Sequence, residues 1–408
     1  MKVIIFIASA FFFAESAVQG IYRKAVVITP IVDLFFDQLS VRRPYSSLKE
    51  LYNSMPCASS SASNGCWRAT QALFNDVVDV IDHKGEEVCI DTGRLFFDAP
   101  DRIHLKNFWV HRDTLLFFDE LVSAGVDISA FPEPINMVHQ QAFKNKNIVT
   151  LIMPWHDPIT KKKYSAGTRF VKVANHPTTI IVKIFDPETF TTHHAPLQKA
   201  LCVTEKNMTR SERQKEYVQL LKKWTMLHHG AIPYIWGGSS FLEAVGDDVQ
   251  EEEASFGKQT VTLYDRPYMS RPYAGFDCSG LVARAAQICG IPYFFKNTLT
   301  LARHLQPLSE KDHLEEGDLI WFPGHVMVVS SLLKHETIEA VGYGSGFGKV
   351  HAIKLHKRFL GITSYHKLLD YYFNKKKLTL LTKEGKLAKI IDNFVIYKFS
   401  SVWKFATL

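Results

Sequence analysis

Long apolar runs, cysteine, charge of one sign and helical periodicity are all scarce in this chain of 408 residues. Each scarcity excludes something. The N-terminal apolar run, Val3–Phe13, is too short to cross a hydrocarbon core of about 30 Å as a helix. Lys2 precedes it, and the small residues Ala14, Ser16, Ala17 and Gly20 follow. Residues 1–20 therefore read as a secretory signal peptide cleaved after Ala17 or Gly20, with an uncleaved anchor as the alternative. Export to the periplasm or the extracellular space is expected. There are six cysteines, with no Cys-x-x-Cys and no His-x-x-x-His spacing. A structural zinc site is thus disfavoured, and no metal and no cofactor are expected. Net charge is +7 overall. Residues 371–408 hold Lys375, Lys376, Lys377, Lys383, Lys386, Lys389, Lys398 and Lys404 against Glu384 and Asp392, a net of about +6. The rest is nearly neutral, which argues against a nucleic-acid partner.

Long helical periodicity does not begin before Ser211. Ahead of it, short alternating runs and glycine turns predominate. Val77–Asp82, the turn His83-Lys84-Gly85-Glu86 and Glu87–Ile90 read as a hairpin, and Ile148–Met153, Gly167–Ala174, Thr179–Phe185 and Ala200–Thr204 continue the style. The expected organisation has a lead-in over 21–63 with a short helix at Ser46–Tyr52. Two small β-barrels follow over 64–130 and 131–205, meeting near Phe131-Pro132-Glu133-Pro134. A third unit covers 206–370, and 371–408 is a basic C-terminal tail. That tail either packs loosely on its neighbour or touches an anionic wall or membrane surface. Cys57 and Cys66 flank a serine-rich loop and either pair or stay reduced; Cys89, Cys202 and Cys289 read as buried small hydrophobes. His228 and His229 read as helix-end partners of the dipole rather than ligands.

Chemistry concentrates in the third unit. Pro233-Tyr234-Ile235-Trp236-Gly237-Gly238 precedes Gly275-Phe276-Asp277-Cys278-Ser279-Gly280, after which helical apolar spacing runs to Cys289 and stops at Gly290. Cys278 falls on the first turn of that helix, where backbone N–H groups are expected to lower its thiol pKa. A cysteine nucleophile needs a base and a group to orient that base. His325 opens a strand after Glu316-Gly317-Asp318-Leu319, and Thr337-Ile338-Glu339-Ala340 offers a carboxylate.

Tyr-x-Trp-Gly-Gly, Asp-Cys-Ser-Gly, Gly-Asp-Leu and Gly-His-Val, in this order over roughly 210–370, resemble the NlpC family of papain-like cell-wall cysteine peptidases. The first β-module resembles, more loosely, the bacterial SH3-like domains that accompany such enzymes. The resemblance implies an α+β fold: a papain-like catalytic domain, with its nucleophile helix packed on an antiparallel sheet, preceded by two SH3-like barrels. It implies Cys278 as nucleophile, His325 as base, Tyr234 as an active-site hydroxyl and Glu339 as the third residue, with Glu336 or His335 as alternatives. It further implies substrate contacts from Asp277, Ser279, Asn297 and Thr298. Where relatives carry an Arg-Asp-Ser-like segment, this chain has Lys296-Asn297-Thr298, an amide replacing the amine-binding carboxylate. The implied substrates are peptidoglycan stem peptides, cut at the γ-D-glutamyl–diamino acid amide. A CHAP-type peptidoglycan amidase and a non-catalytic wall-binding protein are the competing readings. The acidic stretch Glu243–Glu253 is either a solvated loop or a lid that attracts substrate amines.

Overall fold

The computed structural model describes residues 24–407 apart from 39, 41–67, 100–102, 138–142, 144, 205–206, 229 and 245–273. The expected signal peptide, the helix expected at Ser46–Tyr52, Cys57 and Cys66, and most of the acidic stretch lie outside the described residues. Among the described residues no helix is long and apolar enough to cross a membrane.

The first unit is a seven-stranded antiparallel sheet. Its strands are β1 (Lys24–Val27), β2 (Ile31–Phe35), β3 (Arg68–Leu73), β4 (Val77–Lys84), β5 (Glu87–Asp91), β6 (Asn107–His111) and β7 (Leu115–Phe117). They lie in the order β3-β2-β6-β5-β4-β1-β7, with helix α1 (Phe118–Ser123) after the last. Residues 24–35, expected as lead-in, are therefore integral strands, and β1 sits between β4 and β7. All five residues of β2 and three of the four in β1 are buried, so neither shows the alternation that marks a half-buried strand.

The second unit pairs β8 (Ile148–Leu151), β11 (Arg169–Asn175), β12 (Thr179–Asp186), β13 (Thr191–Gln198) and β14 (Cys202–Thr204) in the order β13-β12-β11-β8-β14. A small hairpin, β9 (Trp155–His156) and β10 (Lys163–Tyr164), caps it.

Helix α2 (Arg210–Thr225) opens the third unit. Its N-cap Thr209 and Glu212 form a reciprocal capping box. Helices α3 (Cys278–Ile288) and α4 (Thr298–His304) follow, then a six-stranded antiparallel sheet. Its strands are β15 (Gln306–Pro307), β16 (Leu319–Phe322), β17 (His325–Ser331), β18 (Glu336–Val341), β19 (Lys349–Lys354) and, from the far C-terminus, β22 (Val395–Lys398). Their order is β15-β22-β16-β17-β18-β19. Between β19 and β22 come α5 (Leu355–Arg358), α6 (Tyr365–Phe373) and the hairpin β20 (Leu378–Leu381)–β21 (Leu387–Ile391). One apolar cluster joins Tyr217, Leu221 and Trp224 of α2, Leu281 and Ala285 of α3, and Val326, Val328, Ile338 and Ala340 of the sheet.

The basic tail is accordingly a correction. Lys398 belongs to a strand paired with β16, and Leu378, Leu380, Ile391, Phe394, Ile396 and Phe399 are buried. Lys375–Lys377, Lys383 and Lys386 lie in the turns around the β20–β21 hairpin, and Lys398 pairs with Glu315 and the buried Asp318. Phe399 stacks on Tyr217 of α2 at 4.5 Å between ring centroids, closing the third unit on itself.

Candidate active site

Backbone contacts hold the side of the candidate nucleophile, Cys278. Ile235 N–H donates to the Phe276 carbonyl, Phe276 N–H to Pro233, and Asp277 N–H to Gly238. The two segments touch so closely that a Cβ at Gly280 would meet the Gly238 oxygen at 2.0 Å. One at Gly238 would meet the Gly275 oxygen at 2.5 Å. Only glycine fits there. Asp277 is the N-cap of α3: its Oδ1 accepts from the Gly280 N–H and from Ser279 Oγ. Its Oδ2 lies 2.9 Å from Lys296 Nζ, which also donates to Ser279 Oγ at 3.3 Å. Lys296 is buried. Asp277 and Ser279, expected as substrate contacts, are thus engaged in setting the helix start. Lys296, which sequence reasoning did not single out, holds them.

Cys278 is the first residue of α3 and every residue of that helix is buried. Burial, then the Asp277 carboxylate, push its thiol up to about 12, against the Val326 N–H, the Lys296 cation and the Ser279 N–H. The direction is opposite to the lowered thiol expected at a helix N-terminus, because burial and the Asp277 carboxylate outweigh the two N–H groups and the Lys296 cation. The contact to Val326 sets Cys278 beside the opening of β17, where His325 is the preceding residue.

Charges hold the base side. His325 Nε2 and Glu339 Oε2 are 2.6 Å apart. Glu339 is fully buried and opposite His351 in the β18–β19 register. Its other oxygen, Oε1, lies 2.9 Å from Arg358 Nε and 3.4 Å from His351 Nε2, as ion-pair contacts rather than aligned hydrogen bonds. Burial alone would raise the Glu339 pKa. His325, His351 and the Arg358 charge instead hold it well below the usual carboxylate range. Phe347 stacks on His351 at 4.4 Å, and Arg358 donates to the Leu381 carbonyl at 2.8 Å. Neither alternative third residue reaches His325. Glu336 is three residues from Glu339 on β18 and so faces the other side of the sheet. His335 precedes that strand, where its ring accepts from the Tyr365 N–H.

Tyr234 lies in the same apolar cluster as Cys278, its ring against Gly342 just beyond β18. Asn297 and Thr298 are placed differently from their expected roles. Asn297 is the N-cap of α4: its Oδ1 accepts from Thr300 N and Oγ1, each at 2.7 Å, and its Nδ2 donates to the Asp98 carbonyl. Neither end of the amide is left for a substrate amine. The Thr298 carbonyl accepts from the Trp321 indole at 2.8 Å.

The first sheet reaches this region through buried polar groups. Arg68 Nη1 donates to the Trp236 carbonyl at 2.9 Å, and Gln71 Oε1 accepts from Ser239 N–H and Ser240 Oγ. Arg284, in the middle of α3, donates to the carbonyls of Ser239 and Gln71. Phe96 of the β5–β6 loop exchanges backbone hydrogen bonds with Phe294 and Lys296.

No family model and no curated protein matches this chain. Among solved structures it is similar to an NlpC/P60 family protein from Bacillus cereus ATCC 10987. That likeness has 18% identity and a TM-score of 0.48, and covers 81% of this chain and 94% of the other. It is also similar to NlpC2 from Trichomonas vaginalis, at 11% identity and a TM-score of 0.30 over 82% and 93% of the two chains. A third likeness is to the peptidoglycan hydrolase RipB from Mycobacterium tuberculosis, at 20% identity and a TM-score of 0.23 over 38% and 68%.

Proposed function

We propose that this protein is a papain-like cysteine peptidase of the NlpC type, with catalytic domain 206–407 and SH3-like modules ahead of it. It would cleave the γ-D-glutamyl–diamino acid amide of peptidoglycan stem peptides after export. The observation that carries this reading is the buried Glu339–His325 pair at the mouth of β17, beside Cys278 at the start of α3.

With Nε2 donating to an ionised Glu339, Nδ1 of His325 is the free acceptor. It takes the Cys278 proton as Sγ attacks the amide carbonyl, and Glu339 stabilises the imidazolium that forms. The backbone N–H of Cys278 is a donor for the developing oxyanion. His325 then gives its proton to the leaving diamino-acid amine, and a thioester to the γ-carboxyl of D-glutamate remains. Water, deprotonated by His325, attacks that thioester; the carboxylic acid leaves and the thiol is restored. Contacts from Arg68, Gln71 and Phe96 support a role for the first module in walling one end of the cleft.

The test is incubation of the purified protein with L-Ala-γ-D-Glu-diaminopimelate, with Cys278→Ala as control. Release of free diaminopimelate by the parent but not by the variant is expected. An intact tripeptide, or equal release by both, overturns the reading.

A further inference from the structure

A second cluster of reactive side chains lies where the first sheet meets the catalytic unit. Asp98 and His104 belong to the β5–β6 loop, and His304 ends α4, more than two hundred residues later. One ligand atom from each lies within 4.8 Å of the others. Asp98 is almost fully buried, and its backbone is held from both sides. Its N–H meets Thr300 Oγ1 at 2.8 Å, and its carbonyl accepts from Asn297 Nδ2 at 3.1 Å. Asp98 Oδ1 accepts from the His104 N–H at 2.8 Å, and Oδ2 lies 3.2 Å from His304 Nε2. His104 has φ +54°, a region in which Asn, Asp and His are enriched among non-glycine residues. The His304 ring is set by stacking on Phe295 and by edge contacts with Phe96 and Phe405.

We infer that Asp98, His104 and His304 form a binding site for a first-row transition-metal dication, of which zinc is the type, joining the β5–β6 loop to α4. Two imidazoles and one carboxylate are a donor set that zinc takes and that the oxygen-seeking Mg²⁺ and Ca²⁺ do not. Zinc ligands at about 2.0–2.2 Å in a tetrahedron stand roughly 3.3–3.6 Å apart, so the exposed His104 ring closes by about an ångström on binding. Water takes the fourth position on the exposed side. His304 would bind the ion through Nε2 with its ring proton on Nδ1, so that the ion takes the place of the Nε2–H facing Asp98 Oδ2. Arg303, whose Nη1 is 3.5 Å from Asp98 Oδ2, is exposed enough to swing away as the ion enters. The hydrogen bonds from His104 N–H and the clamp on the Asp98 backbone orient the carboxylate as outer-shell partners do. The same loop pairs with Phe294 and Lys296, so the metal would staple the first module to the segment that carries the Lys296–Asp277 pair.

The site is tested on the full chain carrying Cys278→Ala, which removes the thiol as a competing ligand. The chelator-treated protein is titrated with Zn²⁺ by calorimetry and with Co²⁺ by visible absorption, and its melting temperature is measured with and without Zn²⁺. One saturable equivalent and a raised melting temperature are expected. His104→Asn keeps a residue tolerant of positive φ and leaves the buried ion pair intact, so it should fold. It should weaken Zn²⁺ binding by at least about tenfold and abolish the thermal shift. Absence of saturable uptake by the parent overturns the inference, as does uptake of equal affinity by His104→Asn. Neither outcome bears on tripeptide cleavage, which is read separately.

Discussion

The two sides of the candidate active site are built by different physics. On the nucleophile side, the Tyr234–Ser240 and Gly275–Gly280 segments lie backbone against backbone, and at Gly238, Gly275 and Gly280 glycine is demanded by space. On the base side, His325, Glu339, His351 and Arg358 come from three strands and a following helix and are held by charge. A steric demand leaves a local mark, since the residue must be glycine at a given spacing. An electrostatic demand can be met by any cation the fold brings near. The nucleophile side therefore reads as motifs, and the base side reads only as far as His325 and its carboxylate.

Gly280→Ala challenges the steric side most severely. Its methyl group would stand 2.0 Å from the Gly238 oxygen, inside a contact of two backbones that cannot yield separately. A loss of at least about 3 kcal/mol in denaturant unfolding is expected, with peptide hydrolysis lost in parallel. A variant within about 1 kcal/mol of the parent would refute the account of why glycine is required. Glu339→Gln probes the charged side. Hydrolysis should fall by about 100-fold or more as imidazolium stabilisation is lost, because general acid–base catalysis contributes about 10²–10⁴-fold. The uncompensated Arg358 adds a stability loss of about 3 kcal/mol. Unchanged turnover would remove Glu339 from the mechanism.

Arg358→Gln sharpens the comparison through pH. The Glu339 pKa is depressed in the folded protein, so its contribution to stability is full above the unfolded value and is lost as pH falls through the folded one. Removing the Arg358 cation moves the folded value upward. Acid unfolding followed by circular dichroism should then begin at higher pH than in the parent; an unmoved midpoint would show that Arg358 does not act on this carboxylate. The smallest effect is expected from Asn297→Ala. Loss of the cap on α4 should cost about 1 kcal/mol while KM for the tripeptide stays within twofold. A large rise in KM with stability unchanged would return Asn297 to the substrate.

Much of the site was legible because its residue types are chemically obligatory. Cys278, His325 and Tyr234 stand in short motifs whose order along the chain carries the resemblance. Glu339 was preferred as the third residue, but Glu336 and His335 stayed open as alternatives until the register of β18 gave Glu339 and Glu336 opposite faces. Lys296 was visible only as part of a substrate segment, and its pairing with Asp277 follows from how α3 and the 294–297 segment approach each other. Strands β1, β2 and β22 were obscured for two reasons. The first two are buried without alternation, and the lysines of the last strand's surroundings resemble a solvated tail.

The sequence by itself determined the β-rich first half, the helix that begins at Cys278, the candidate nucleophile and base, and the glycines around the cysteine. Each follows from local periodicity, capping or the chemistry of one residue. Tertiary structure alone decided which carboxylate meets His325, that burial raises the Cys278 thiol, and that β22 completes the six-stranded sheet. It also decided that Arg358 lies against Glu339 and that Asp98, His104 and His304 converge. These depend on distances between residues far apart in the chain and on the water excluded between them, and neither is written in local spacing.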